Sequence, residues 1–277
     1  MARRLVIGWS VLSLACACTS GPTNAPAAGD PSPPAGDELY GDSVVGDPYA
    51  PADPASPGDP TLPGDDAGGG DPATCAPTAG LGVVTCSCNA LGDDEWLSAS
   101  PFLFLAAIDF GTAGFVVGSL TPGGAEVIAD GNLGGSSLES EATAVEVLTR
   151  CEQAALLNTE DELHYTNENG KKTDERMEID GRLVGVSVVR AYHYPPENPY
   201  SEAEALVMLS GKLDDLPVSQ GNALPEFAWS RSLLFVIAYN QQYADAVLAV
   251  WQTLTDDVRR DAILFVTTTN GDDSALY

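Results

Sequence analysis

The chain has 277 residues, with 12 Lys and Arg against 40 Asp and Glu, and its formal net charge is −28. Such a charge repels phosphate backbones and anionic lipid headgroups, and residues 5–149 contain no Lys or Arg that could form a basic patch. The composition therefore argues against a nucleic-acid partner. Gly and Pro number 28 and 20, which indicates that part of the chain does not pack into a core.

The N-terminus has the pattern of a secretory signal. Two arginines, Arg3 and Arg4, precede an apolar stretch at residues 5–15 that is too short to span a bilayer as a permanent helix. Small residues then precede two cysteines, Cys16 and Cys18. This pattern resembles the lipobox of bacterial lipoprotein precursors, in which the cysteine becomes diacylated and N-terminal. We expect residues 1–17 to be the signal peptide.

The lipobox resemblance implies localisation to the cell envelope. Cys18 is the favoured lipidation site because Ala15 and Ala17 precede it at the relevant positions, and Cys16 is the alternative. Cleavage without lipid attachment remains open. By resemblance to Gram-negative lipoproteins, the absence of Asp after either cysteine implies a lipid anchor in the outer membrane, with the domain either periplasmic or exposed at the surface.

Lipidation at Cys18 leaves an even set of cysteines in an oxidising compartment: Cys75, Cys86, Cys88 and Cys151. The short Cys86–Cys88 spacing strains a direct bond between those two. We therefore expect Cys75 to bond to one of them and Cys151 to the other. Structural zinc prefers CxxC pairs or added histidines, and His164 and His193 lie in no such spacing, so no metal is predicted.

Composition divides the mature chain into two parts. Residues 18–74 are rich in Pro, Gly, Ala and Asp and cannot offset the entropy of folding, so we predict a disordered acidic linker that provides reach. Residues 75–277 carry strand-length apolar runs and suffice for a single domain. We predict a mixed α+β fold with an antiparallel meander, a packed helix and a C-terminal strand-helix-strand unit.

The elements of this domain are predicted from periodicity and turn chemistry. A helix is expected after the capping pattern at residues 136–139, with Cys151 on its buried face, and Asn169-Gly170 and Asp180-Gly181 predict the two turns of the meander. Residues 203–209 fit either a strand or a helix, and helices are expected at 241–254 and 255–261. The predicted strands cover residues 81–87, 102–109, 113–120, 125–129, 162–168, 171–179, 182–194, 233–239 and 262–266.

A candidate phosphate loop follows one of the predicted strands. Asp109-Phe-Gly-Thr112 resembles the loop that opens the actin, sugar-kinase and heat-shock-chaperone ATPase superfamily, in which the Asp handles metal and water. That superfamily needs a second Asp-rich phosphate loop, which the rest of the sequence lacks. A turn between strands is therefore the preferred interpretation of Asp109, and no cofactor is predicted.

Two further patterns define alternative functions. His193 lies beside Arg190 and before Glu197, which makes a Ser–His–acid set in a secreted hydrolase conceivable, although no Gly-x-Ser-x-Gly elbow supports it. Calcium-dependent binding is the other alternative. It depends on the Asp pairs at 93–94, 214–215, 256–257 and 272–273, which solvated turns explain equally well.

The middle segment is also similar to a small lipoprotein domain shared with flagellar H-ring proteins. The likeness is carried by a Gly-rich turn before a Ser-capped helix, then by residues 185–192 and 204–209. The resemblance implies a structural, non-catalytic role. The leading hypothesis is therefore a membrane-anchored envelope lipoprotein that is not an enzyme and binds or scaffolds a protein or an envelope polymer.

Overall fold

The computed structural model of the protein describes residues 80–131, 137–196 and 198–277. The predicted signal peptide, the lipidation cysteines, the linker and Cys75 all lie outside these ranges. The described residues form one seven-stranded mixed sheet flanked by helices, which confirms the predicted α+β class. No helix within these ranges is long and apolar enough to span a bilayer.

The sheet has the strand order β1-β2-β7-β6-β5-β4-β3. Its four central strands, β2, β7, β6 and β5, run parallel, whereas β1, β4 and β3 are antiparallel to their neighbours. The strands are β1 (Val83–Cys86), β2 (Phe102–Asp109), β3 (Ala155–Asn158), β4 (Glu175–Ile179), β5 (Arg182–Ala191), β6 (Arg231–Ala238) and β7 (Ile263–Asn270).

Helices cover both faces of the central strands. In β6, Phe235 belongs to a core cluster that includes residues of α3, whereas the next residue, Val236, packs in a second cluster with residues of α4 and α5. All eight residues of β6 are buried, as expected for a parallel strand between two helical layers. The helices are α1 (Asp93–Leu97), α2 (Pro122–Asp130), α3 (Leu138–Glu152), α4 (Glu202–Asn222), α5 (Gln241–Thr253) and α6 (Asp256–Arg259).

Several predicted elements are present. The turn at Asp180 and Gly181 joins β4 to β5 with left-handed backbone angles at both residues, as the Asp-Gly pair predicts. The C-terminal unit is β6-α5-β7, and its two strands are parallel. Asn240 begins α5 by accepting a hydrogen bond from the backbone N–H of Tyr243 (3.1 Å).

The predicted strands at 113–120 and 125–129 are wrong. The first region holds turns and a short 3-10 helix at Val117–Ser119, and the second lies inside α2. Thr121 accepts a hydrogen bond from Gly124 N (3.4 Å), and Pro122 occupies the first position of the helix. A threonine cap followed by proline is a helix start, so this segment begins α2 and residues 125–129 are helical.

The meander is also partly wrong. Residues 162–168 contain only an isolated bridge between Tyr165 and Ala223, and the third antiparallel strand is β3, which pairs with β4. The Asn169-Gly170 turn therefore connects no hairpin. Residues 203–209 lie in α4, the helical alternative, because Ser201 and Glu204 cap each other at its start.

A disulfide joins the edge of the sheet to the helix that covers it. Cys86 at the end of β1 bonds to Cys151 in α3, 65 residues away, and this is one of the pairings that the spacing allows. The neighbouring Arg150 donates hydrogen bonds to the carbonyl oxygens of Leu81 (2.6 Å) and Gly82 (3.1 Å). Together these contacts tie the start of the described domain to α3. Because Cys75 lies outside the described ranges, its pairing stays a prediction.

Glu175, at the start of β4, has a buried carboxyl group. It is 1% exposed, and neither carboxylate oxygen has a hydrogen-bond partner among the described residues. Burial raises its pKa well above the ordinary value, and the nearby charges of Asp174, Glu141 and Glu160 raise it further. Folding therefore favours the protonated form of Glu175 relative to the unfolded chain.

We predict that Glu175→Gln stabilises the domain at neutral pH. The wild-type fold loses about 1.4 kcal/mol per pH unit as the pH rises from the unfolded pKa, about 4.3, towards the raised pKa of the folded state. Urea denaturation from pH 4 to pH 7 should show the two proteins converging at pH 4 and separating above it. Glu178→Gln, on the exposed side of the same strand, is the matched control and should show no such divergence.

Candidate functional site

The carboxyl ends of the four parallel strands meet at one edge of the sheet, where open α/β sheets usually bind ligands. Tyr192 and His193 follow β5, Tyr239 follows β6, Asn270 ends β7 and Asp109 ends β2. Two of the predicted candidates, His193 and Asp109, thus lie at the same edge. Their strands are separated by β6 and β7, so roughly 14 Å of sheet lies between them.

His193 contacts a carboxylate, although not the predicted one. Its Nδ1 lies 2.6 Å from Oε1 of Glu204, in the first turn of α4. The other oxygen, Oε2, accepts hydrogen bonds from the backbone N–H (2.9 Å) and the hydroxyl (2.6 Å) of Ser201. The Ser201 hydroxyl, then its N–H, then His193 lower the pKa of Glu204 to about 2. Glu197 lies outside the described residues.

The order of these three groups matters for catalysis. A serine hydrolase places the imidazole between the nucleophile and the acid, so that the base can take the hydroxyl proton. Here Glu204 lies between Ser201 and His193, and the serine hydroxyl donates to the carboxylate. The set therefore matches a helix-capping box with a histidine attached, and it weighs against the hydrolase alternative.

Asp109 occupies a structural turn. Its Oδ1 accepts a hydrogen bond from Gly111 N (2.7 Å), and Phe110 N donates to the carbonyl of Asn270 (3.0 Å). At Gly271, which has a left-handed φ of +76°, an added Cβ would lie 2.5 Å from the backbone N and O of Gly111. The loops after β2 and β7 are therefore in close contact, which supports the turn interpretation over a phosphate loop.

Five tyrosines form a connected cluster at this edge, here called the tyrosine cluster. The ring of Tyr277 stacks on Tyr192 with centroids 4.7 Å apart and meets Tyr239 edge-on at 5.0 Å. Tyr243 contacts Tyr239 and stacks on Tyr200 (5.1 Å). Burial raises the pKa of Tyr200 to about 12 and also raises the pKa of Tyr243 and Tyr277, so these phenols stay neutral.

A solvent-facing groove of about 510 Å³ runs between the end of β5 and the first turns of α4. We call it the tyrosine groove. Val207 at its wall is 77% exposed, and the nearby Tyr194 is 81% exposed. The groove is lined by Arg190, Tyr192, Tyr200, Ala203, Glu204, Val207 and Met208. Aromatic and aliphatic walls with one cationic side chain, Arg190, and one anionic side chain, Glu204, suit a ligand with apolar faces.

A second cavity, of about 530 Å³, lies beside the end of α3 and includes the β4–β5 turn residue Asp180 and Glu152 in its lining. Burial raises the pKa of Glu152 to about 7. Its carboxylate accepts backbone hydrogen bonds from Leu91 (3.0 Å) and Ala90 (3.4 Å). Glu152 thus positions the loop before α1, and no nucleophile or metal ligand set is assembled around it in the described part of the chain.

The Asp pairs behind the calcium alternative are not brought together. Asp93 pairs with Arg182 (2.6 Å), Asp214 and Asp215 pair with Arg260 and Lys171, and Asp256 pairs with Arg259. Instead, one exposed acidic triad, Glu126, Asp130 and Glu162, has carboxylate oxygens within 4.8 Å of one another. Calcium-dependent binding stays a prediction.

Sequence reasoning identified His193 but missed its partner and the tyrosine groove. The cluster joins residues that follow β5, β6 and β7 with one from the loop before α4 and one from α5, so no local spacing reveals it. The available signal was weaker: Tyr192 and Tyr239 each follow an apolar strand. The strand order, which places those two ends side by side, was needed to interpret it.

Comparisons with known proteins add little. No family model matches the chain, and no solved structure matches it. A curated protein of Dictyostelium discoideum, named "AAC-rich mRNA clone AAC4 protein", is 28% identical over 153 residues, which cover 53% of this chain and 22% of that protein. The chain therefore spans only about a fifth of that relative's length, and no role is transferred from it.

We predict that Ser201 matters more to stability than His193. Ser201→Ala removes the cap of α4 and should lower the free energy of unfolding by about 1 kcal/mol, whereas His193→Ala should cost less than half of that. Because the pKa of Glu204 is lowered chiefly by Ser201, the difference between wild type and Ser201→Ala should shrink as the pH falls from 5 towards 2. Urea denaturation measures both effects, and a larger cost for His193→Ala would contradict the capping interpretation.

Proposed function

We propose that the protein is a membrane-anchored envelope lipoprotein whose folded domain binds a ligand without chemically changing it. The observation that carries the binding role is the tyrosine groove at the carboxyl edge of the sheet. The proposed anchor depends on the sequence alone, on the lipobox pattern around Cys18.

The lining of the groove favours a ligand with apolar faces. Aromatic rings bury large apolar areas with few rotatable bonds, and their hydroxyl groups add hydrogen bonds, which makes tyrosine common at recognition surfaces. Glu204 carries a negative charge at ordinary pH, and the chain as a whole carries −28. Anionic polymers are therefore poor ligands, and a protein segment or an uncharged envelope polymer is the better candidate.

The non-catalytic part of the proposal depends on the arrangement of Ser201, Glu204 and His193. In this arrangement the serine hydroxyl donates its hydrogen bond to the carboxylate of Glu204. The imidazole is therefore not placed to take the proton of that hydroxyl. A hydrolase that used His193 would need a nucleophile from elsewhere. Purified His193→Ala protein should therefore keep its binding properties, and loss of a hydrolytic activity on an envelope substrate would contradict this view.

The binding role is tested with two valine variants on one helix. Val207→Asp places a charge in the groove wall and should reduce binding to isolated envelope fractions at least tenfold, because burying an unpaired charge disfavours the complex. Val218→Asp is the matched control, since Val218 is also an exposed residue of α4 (54%) but does not line the groove. Cosedimentation with washed envelope material measures both, and equal losses would contradict the assignment of the groove.

The anchor is tested separately. Cys18→Ala should move the protein from the membrane fraction to the soluble envelope fraction, whereas Cys16→Ala should leave it in the membrane, because a single diacylated cysteine supplies the anchor. Mass spectrometry gives a second measurement. The first half contains no Lys or Arg from residue 5 to residue 149, so trypsin after reduction should release one long lipid-modified peptide that ends at Arg150. An unlipidated N-terminus would contradict the proposed lipid anchor.

A further inference from the structure

The predicted linker contains a regular spacing of prolines that a tether does not require. A proline stands at every third position of residues 48–63: Pro48, Pro51, Pro54, Pro57, Pro60 and Pro63. We call residues 48–63 the proline segment. A polyproline II helix has three residues per turn, so this spacing would place all of these prolines on one edge of such a helix. The spacing therefore indicates a segment that is recognised along one edge.

The other two edges of such a helix would differ in polarity. One edge carries mostly small residues: Tyr49, Ala52, Ala55, Gly58 and Thr61. The other edge carries the acidic residues Asp53 and Asp59, together with Ala50, Ser56 and Leu62. The prolines and the small residues would thus form a continuous apolar side, with the carboxylates on the remaining edge.

The tyrosine groove has a surface that suits this apolar side. Grooves lined by aromatic side chains recognise proline-rich segments, because a polyproline II helix is already extended and loses little freedom on binding. Here Tyr192 and Tyr200 line the groove together with the apolar side chains of Val207 and Met208. Val207 is 77% exposed, so no residue of the described ranges covers this part of the groove.

The described chain begins at the same edge of the sheet as the groove. Val83, the first residue of β1, pairs with Asp109, the last residue of β2, so Gly80 lies near the carboxyl ends of the parallel strands. From β1 to β5 there are four strand spacings, or about 19 Å. The 17 residue steps from Pro63 to Gly80 span about 20–25 Å as a flexible chain. The tether is therefore long enough to reach the groove.

We propose that the proline segment of this chain binds in the tyrosine groove, with its apolar side against the tyrosine rings. Its carboxylates then face water, where their charge is screened, and not Glu204. A polymer that carries anionic groups on every side has no such orientation. The acidic residues of the segment are therefore compatible with docking.

Docking of the proline segment would regulate the groove, and this regulatory effect rests on the proposed function. A tether of matching length gives the segment an effective concentration of about 1 mM at the groove. A segment with a Kd of about 0.1 mM then lowers the apparent affinity of an external ligand about tenfold. An envelope ligand would have to displace the segment in order to bind.

The experiment uses full chains and a fluorescein-labelled peptide with the sequence of residues 46–65. An exchange variant removes every three-residue proline spacing and keeps length, composition and charge: Pro51→Ala with Ala52→Pro, Pro57→Gly with Gly58→Pro, and Pro63→Gly with Gly64→Pro. Fluorescence anisotropy should show that the peptide binds the exchange variant about tenfold more tightly than wild type, because the wild-type segment competes with it. Pro26→Ala with Ala27→Pro, outside the proline segment, is the matched control and should behave like wild type.

Two further variants locate the peptide site. Val207→Asp in the exchange variant should abolish peptide binding, whereas Val218→Asp in the same chain should keep it, since Val218 does not line the groove. Equal peptide affinity for wild type and the exchange variant would show that the segment does not dock. Peptide binding that survives Val207→Asp, or no binding to either chain, would also overturn the proposal.

Envelope cosedimentation separates this proposal from the proposed function. The exchange variant should bind envelope fractions about tenfold more tightly than wild type. If Val207→Asp abolishes peptide binding but leaves envelope binding unchanged, the proposed function fails while docking of the proline segment stands. If envelope binding depends on Val207 but the peptide does not bind, the docking proposal fails while the proposed function stands.

Discussion

The central strands β6 and β7 are largely buried on both faces, and this constraint determines the rest of the fold. Their side chains alternate between two core clusters, so neither strand has a face that water can cover. Each face of the sheet must therefore carry helices. The crossovers through α4 and α5 cover one face, while α3, which the disulfide joins to β1, covers the other. Because the parallel strands then end together, the polar residues that follow them collect at a single edge of the sheet.

That edge is closed mainly by tyrosines. A strand end carries backbone polar groups that need partners or water, and tyrosine supplies an apolar ring together with a hydroxyl at its tip. Tyr243 shows both uses, since its ring contacts Tyr239 and its hydroxyl donates to the carbonyl of Asn198 (2.9 Å). Where the tyrosine cluster stops, beside α4, the apolar surface of Val207 is left exposed and the groove begins. The candidate binding surface is thus the part of this edge that the tyrosine cluster leaves uncovered.

The sequence predicted what local chemistry determines and missed what depends on distant partners. Apolar runs located β2, β6 and β7, and the Asp-Gly turn located the β4–β5 hairpin, because these signals act within a few residues. The region 125–129 was mistaken for a strand although Thr121 and Pro122 form a helix start, so the capping signal was present and was outweighed by a short apolar run. Residues 162–168 resemble a strand locally, but the strand that pairs with β4 on the side away from β5 is β3. His193 was identified as a candidate, whereas its partner Glu204 became apparent only with the cap of α4.

The buried carboxylates show how differently one residue type is used in this acidic chain. Glu146 accepts backbone hydrogen bonds from Leu81 (3.0 Å) and Thr121, and Glu152 accepts them from Leu91 and Ala90, so both carboxylates hold loops in place. Such bonds offset part of the cost of removing a charge from water. Glu175 has no comparable contact among the described residues, and its neighbours carry the same charge. Its burial is therefore a net cost to the fold whenever the carboxyl group is ionised.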